Sequence, residues 1–78
     1  MAGKEGKIVE VELSFPGKLK DEPVFYNIIK KFDVIPSILE ASFSTDMGWA
    51  IVKFEGREKE INRLFDYLKL RKVKINIR

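Results

Sequence analysis

Hydrophobic and polar residues alternate along the first part of the chain, from Lys7 to Phe15. A period of two is typical of a β-strand that buries one face, because successive side chains point to opposite sides. Pro16 and Gly17 end the pattern. The predicted strand buries Val9, Val11, Leu13 and Phe15 and leaves Ile8, Glu10, Glu12 and Ser14 on its other face.

Two later segments place their apolar residues at the spacing of an amphipathic helix. The first begins at Asp21-Glu22-Pro23, where an acidic cap precedes a proline whose missing N–H costs nothing in the first turn. The second extends from about residue 58 to Leu70, with glutamates at its start and basic residues near its end, as the helix dipole favours. The predicted buried stripes are Phe25, Ile28, Ile29 and Phe32 in the first helix and Ile61, Leu64, Phe65 and Leu68 in the second.

The remaining apolar segments predict three more strands, over residues 33–44, 49–55 and 73–77. Pro36 favours an edge position for the first of them, and Thr45–Gly48 predicts a turn into the next. The resulting order βαββαβ is the ferredoxin-like arrangement of the α+β class. We expect a four-stranded antiparallel sheet in the order 4-1-3-2 with two helices on one face. Residues 1–6 predict a disordered N-terminal lead, and residues 7–78 predict a single domain.

The hairpin predicted over residues 33–55 indicates how its side chains divide between the two faces of the sheet. With a four-residue turn, Ser44 lies opposite Trp49, and Glu40 lies opposite Lys53 as a favourable pair of charges. The helix-covered face then holds Leu39, Ala41 and Phe43 with Ala50, Val52 and Phe54, and the open face holds Ile38, Trp49 and Ile51, with Ile8 of the first strand nearby.

An apolar cluster on the open face would be unusual for a monomer. We therefore expect an interface, in a homodimer or with a neighbouring domain, formed by Ile8, Ile38, Trp49 and Ile51. The other interpretation is that these residues are merely scattered, or shielded by the N-terminal tail.

The composition excludes several classes of function. The 78 residues contain no cysteine and no histidine, so thiolate metal sites and the commonest general base are missing. The chain has no nucleophile motif and no phosphate-binding glycine loop, and exposed glutamates such as Glu10 and Glu12 are usually a solvated face. We expect a protein that is not an enzyme and that needs no cofactor or metal.

The chain also lacks the sequence features of a membrane or exported protein. No apolar run approaches the roughly 20 residues that span a bilayer. The polar residues 1–7 do not form the apolar core of a signal peptide. We expect a cytoplasmic protein without membrane insertion.

Short motifs follow one another along almost the whole chain. They are Val11-Glu12-Leu13-Ser14-Phe15 with Gly17, Pro23-Val24, Phe32 with Val34, Ser37-Ile38-Leu39, Gly48 with Val52, Phe54 and Gly56, and Val73-Lys74-Ile75. In this order and spacing they resemble the NIL domain family, named for an Asn-Ile-Leu at the start of its second strand. The resemblance implies an ACT-like regulatory domain that dimerises and binds methionine or a related amino acid. It also implies a free-standing relative, with a methionine transporter or a protein of sulfur amino-acid metabolism as its partner.

The resemblance places a candidate ligand site on the second strand, at Ser37, Ile38 and Phe43, together with the adjoining dimer surface. Ser37 stands where the family has the asparagine implicated in ligand recognition, and serine offers fewer donors on a shorter arm. Apolar walls with few polar anchors suit a thioether side chain. The alternative for Ser37 is a hydroxyl on an edge strand with no role in binding.

Two other functions remain open at this stage. A pure interaction module would dock its open sheet face on an enzyme or transporter and bind no small ligand. RNA binding is the more distant alternative, because Gly48–Phe54 is similar to part of an RNA-recognition motif with Trp49 on the open face. Ile51 replaces the second aromatic residue of that motif, and acidic residues of the first strand would repel phosphate. We therefore expect no nucleic-acid partner.

Overall fold

A computed structural model describes residues 6–17, 22–44 and 46–78. The elements follow in the predicted order: β1 (Gly6–Pro16), α1 (Val24–Lys31), β2 (Val34–Phe43), β3 (Met47–Arg57), α2 (Glu58–Leu70) and β4 (Lys74–Ile77). The strands form one antiparallel sheet in the order β2-β3-β1-β4, which is the predicted order read from the other edge. The predicted α+β ferredoxin-like fold, with β2 at an edge, is confirmed.

Several predicted features fall at or beyond the limits of the described residues. Most of the lead predicted over residues 1–6 lies outside them, and Gly6 is already the first residue of β1. The acidic cap predicted at Asp21 also lies outside them, and Pro23 precedes α1 without a side-chain capping hydrogen bond.

The core lies between the two helices and the middle of the sheet. Alternate residues of β1 and β3 are buried, as their period of two predicted. The buried side chains are Val11, Leu13, Phe15, Val24, Ile28, Phe32, Val34, Ala50, Val52, Phe54, Ile61, Leu64, Leu68 and Val73. The prediction for α1 was wrong at Ile29, which is exposed because the helix turns Val24 and Ile28 toward the sheet instead.

The connection between β2 and β3 closes two residues earlier than predicted, because Ser44 lies opposite Met47 rather than opposite Trp49. It comprises residues 44–46, and the N–H of Ser44 donates to the carbonyl of Met47 over 2.8 Å. The hydroxyl of Ser44 also bonds the Met47 carbonyl and accepts from the N–H of Asp46 and of Met47. Phe43 therefore pairs with Gly48 rather than with Ala50. Glu40 pairs with Ile51, and the predicted opposition of Glu40 and Lys53 is wrong.

A β-bulge at Leu39 changes the register a second time. Ile38 pairs with Val52 and Ser37 pairs with Lys53. Because an extra residue reverses the side-chain alternation, Ile38 lies on the helix side of the sheet. The prediction that Ile38 shares the open face with Trp49 and Ile51 was therefore wrong.

The helix-covered face of the hairpin is also smaller than predicted. Ala50, Val52 and Phe54 of β3 are buried as expected, whereas Leu39, Ala41 and Phe43 of β2 are all exposed. The helices thus cover β1, β3 and only the beginning of β2.

Glu60 in the first turn of α2 ties this helix to the turn between α1 and β2. Its carboxylate accepts from the backbone N–H of Asp33 over 3.0 Å and from the Arg63 guanidinium over 2.6 Å. The bond from Asp33, and secondarily the contact with Arg63, lower the pKa of Glu60.

At the other end of α2, the N–H of Val73 donates to the Leu68 carbonyl and that of Lys72 to the Lys69 carbonyl, as in a Schellman motif. Lys72 has the left-handed backbone, with φ 68°, that this motif requires.

Two leucines of α2 allow a direct test of the core. Leu64 is fully buried, whereas Leu70 is 81% exposed on the same helix. Leu64→Ala is expected to lower the free energy of unfolding by about 2–5 kcal/mol through lost packing and a residual cavity. Leu70→Ala makes the same chemical change and should alter it by less than about 0.5 kcal/mol. Urea denaturation followed by circular dichroism measures both, and similar losses would contradict this description of the core.

The Glu60 contact predicts a stability that depends on pH. A carboxyl whose pKa is lowered by folding stabilises the fold above its unfolded pKa, and this contribution disappears as the pH falls through the lower, folded pKa. Glu60→Gln should therefore destabilise the domain at neutral pH, and its difference from the wild type should shrink in acid. The control is Glu58→Gln, since the 3.8 Å contact of Glu58 with Lys7 is exposed and contributes little. Urea titrations at several pH values would contradict the prediction if the two variants behaved alike.

Candidate ligand site

The free edge of β2 is the most exposed part of the sheet. Every residue from Ser37 to Phe43 is exposed, and β3 is the only neighbour of this strand within the described sheet. Ile38, Leu39 and Phe43 contribute large apolar side chains, each between 51% and 59% exposed. Within Ile35–Phe43, the one charged residue is Glu40.

The predicted site residues lie on this strand but at its two ends. Ser37 lies on the open face beside Lys53, and Ile38 lies on the helix side. Phe43 follows Ser37 by six residues, which is about 20 Å of extended strand. One small ligand therefore cannot contact both Ser37 and Phe43 of the same chain.

Only some of the residues predicted to form the open-face interface lie together on that face. Trp49 lies opposite Ser14 and Ile51 lies opposite Glu12 on that face, while Ile8 lies opposite Glu55 nearer its other end. Trp49 and Ile51 are only half exposed. Ile38 belongs to the other side, so the exposed apolar surface is concentrated along the β2 edge rather than on the open face.

A cavity of about 330 Å³ lies where β1 ends, α1 begins and the β2–β3 hairpin turns. Its described lining is Phe15, Pro16, Gly17, Glu22, Pro23, Val24, Phe25, Tyr26, Phe43, Ser44, Met47 and Gly48. Phe15 links the aromatic walls, because its ring centroid lies 5.9 Å from that of Phe25 and 5.7 Å from that of Phe43. The cavity is therefore mostly apolar, and it includes one of the three predicted ligand residues.

Two glycines permit the close packing around this cavity. A Cβ atom at Gly48 would lie 2.2 Å from Cδ1 of Phe43, so the Phe43 ring can rest over the neighbouring strand only because position 48 has no side chain. A Cβ atom at Gly17 would lie 2.4 Å from the carbonyl oxygen of Asp46. The end of β1 and the hairpin turn can thus approach each other at backbone distance.

The charge at the cavity is compensated. Glu22 is its only charged residue among the described lining, and its carboxylate forms an ion pair with Arg71 at the end of α2. Sequence reasoning missed this cavity because it assigned Phe15 and Phe25 wholly to the core. The sequence feature that could have indicated the cavity is the position of three aromatic residues near the ends of their elements. These residues are Phe15, Phe25 and Phe43.

Two further properties follow from the described residues. None of their helices is long and apolar enough to cross a membrane. Within the same residues, no three acidic side chains are grouped closely enough to hold a metal ion.

The fold and the cavity describe a small ferredoxin-like domain with an apolar cavity and an exposed edge strand. The NIL domain family matches this chain over residues 9–76. This chain therefore belongs to the NIL domain family.

Several methionine import ATP-binding proteins are similar to this chain. Methionine import ATP-binding protein MetN 2 of Bacillus licheniformis is 32% identical over 71 residues, covering 86% of this chain and 21% of that protein. MetN 1 of Listeria monocytogenes is 37% identical over 68 residues, covering 82% and 20%. MetN of Helicobacter pylori is 34% identical over 58 residues, covering 69% and 18%. The chain thus spans about a fifth of the length of these relatives.

A solved structure has the same fold. It is the C-terminal domain of an ABC transporter/ATP-binding protein from Enterococcus faecalis, with a TM-score of 0.76 and 20% identity. The match covers 88% of this chain and 81% of that one.

Proposed function

We propose that this chain is a non-catalytic regulatory domain that binds methionine or a related amino acid where the β2 edges of two copies meet. The observation that carries the proposal is the β2 edge, which is long, apolar and unpaired over Ser37–Phe43. Such an edge presents free backbone N–H and C=O groups and is ordinarily covered by another strand.

A second copy of the chain suits this edge. Two identical edges related by a two-fold axis pair in antiparallel fashion, with the same residues contributed by both sides. The β4 edge is a poorer candidate, because β4 has only four residues. Pairing along β2 would bury Ile38 and Leu39 of both copies and pair backbone groups on the free side of the strand.

Antiparallel pairing also resolves the separation between the predicted ligand residues. If the two-fold axis passes near Glu40, Ser37 of one copy arrives at the same end of the interface as Phe43 of the other. Each end of the interface then has a hydroxyl from one copy and an aromatic ring from the other, with Ser37 on the open face and Phe43 on the helix side of the joined sheet. An amino acid requires both kinds of contact, since its α-groups are polar and a methionine side chain is apolar.

The relatives suggest what the domain regulates. They are named methionine import ATP-binding proteins, and a domain joined to an ATP-binding subunit works on the cytoplasmic side, where ATP is abundant. We therefore infer that the amino acid reports the internal supply of methionine to an importer or to a protein of sulfur amino-acid metabolism.

Calorimetric titration with L-methionine, homocysteine and leucine tests the ligand. Saturable binding of methionine, with leucine much weaker, is expected. Ser37→Ala should weaken methionine binding by about 5- to 10-fold through loss of one hydrogen bond, and Ser37→Asn should strengthen it by restoring the longer amide. The control is Ser42→Ala, an exposed serine of the same strand. Folded protein that gives no heat with any of the three would favour a docking module that binds protein partners only.

Sedimentation equilibrium tests the dimer. Ile38→Lys should dissociate it, because the added charge lies in the paired edge, whereas Ile77→Lys on the β4 edge should keep the wild-type mass. These isoleucines are 52% and 70% exposed, so neither change disturbs the core. Glu40→Gln should strengthen association, since it removes like charges that face each other across the axis. If Ile51→Lys alone dissociates the dimer, the interface is the open face of the sheet and the edge pairing is wrong.

A further inference from the structure

The aromatic cavity borders the hydrophobic core, because Phe15 and Val24 belong to both. It reaches the surface, because exposed residues such as Tyr26, Phe43 and Met47 belong to its wall. Its volume of about 330 Å³ lies within the range of small-molecule sites. An apolar pocket that is open to water and ringed by aromatic side chains is the ordinary form of such a site.

We infer that this cavity receives the apolar side chain of the amino-acid ligand, and that its described walls select an uncharged, flexible side chain. The inference rests on the proposed function and adds to it Phe15, Phe25 and Met47, which neither the family motifs nor the β2 edge include.

The chemistry of the walls argues for this class of ligand. Phe15, Phe25 and Phe43 offer ring edges and faces, against which a thioether sulfur packs favourably. The carboxylate of Glu22 is already paired with Arg71. Among the described lining residues there is thus no free charge to meet an ionised side chain, which would lose its hydration without compensation.

Phe43 connects the cavity to the proposed interface. Its ring forms a cavity wall against Phe15, while its backbone belongs to the β2 edge. Phe43 is 59% exposed in the single chain, and a bound side chain on one side and a second copy on the other would cover it. A ligand in the cavity would then be in contact with the end of the β2 edge that the second copy covers.

Selective labelling of methionine methyl groups with ¹³C gives a direct readout of the cavity. The chain has only two methionines, Met1 and Met47, and the variant Met47→Leu assigns the signal of the cavity residue. Titration with L-methionine should shift the Met47 signal saturably, with the same midpoint as the calorimetric binding curve. Lysine and glutamate should leave this signal unchanged.

A matched pair of phenylalanine variants locates the contact. Phe25→Ala should weaken methionine binding about tenfold, because it removes a cavity wall. Phe65→Ala should change it less than about twofold, since the Phe65 ring packs on Phe54 at 6.5 Å and does not line the cavity. Both residues are partly buried, so circular dichroism confirms folding before either measurement.

The outcomes separate this inference from the proposed function. Methionine binding that leaves the Met47 signal unmoved, with equal affinity in both phenylalanine variants, overturns the cavity assignment and keeps the proposed function. If none of methionine, homocysteine and leucine binds, the proposed function fails, and phenylalanine and indole become the probes. A saturable Met47 shift with any of these supports the cavity as an apolar side-chain site, and no shift with any of them overturns it.

Discussion

The packing of two helices against a sheet longer than either of them is the constraint on which this domain depends. The α1 helix has eight residues and a length of about 12 Å, whereas β2 has ten residues and extends over about 33 Å. The helix can therefore bury Val34 at the beginning of β2 but not the remainder of the strand. The free edge of β2 follows from its terminal position in the sheet, and its exposed isoleucine and leucine and the uncovered Phe43 ring follow from this difference in length.

A second close contact determines the shape of the cavity. Because Gly48 has no side chain, the ring of Phe43 lies over β3 and closes one wall of the cavity against Phe15. The hydroxyl of Ser44 bonds Met47 across the turn, and the hairpin closes two residues earlier than predicted. This turn places Phe43 opposite Gly48, so the turn and the cavity have a common origin in the residues 43–48.

The chain belongs to the NIL domain family and is similar to about a fifth of a methionine import ATP-binding protein. A domain of this size gains stability when a partner covers what its own helices cannot. Binding a small ligand at that same boundary would couple ligand concentration to association, because a ligand that prefers one state shifts the equilibrium toward it. Ligand binding in the cavity and pairing of the edge strand would in this way be coupled through Phe43, which belongs to both.

The sequence by itself determined the element order, the sheet order and most of the core, because strand and helix periodicities are local and each element carries its own pattern. It also predicted Ser37, Ile38 and Phe43 as ligand residues through the family resemblance. Tertiary structure alone decided the bulge at Leu39, the turn of Ile38 to the helix side and the exposure of Ile29. It alone decided the cavity as well, since Phe15, Phe25 and Met47 come from three elements distant in the chain. A register change and a cavity both depend on how separate elements pack together. Neither produces a periodic pattern within one element, so neither can be read from the sequence.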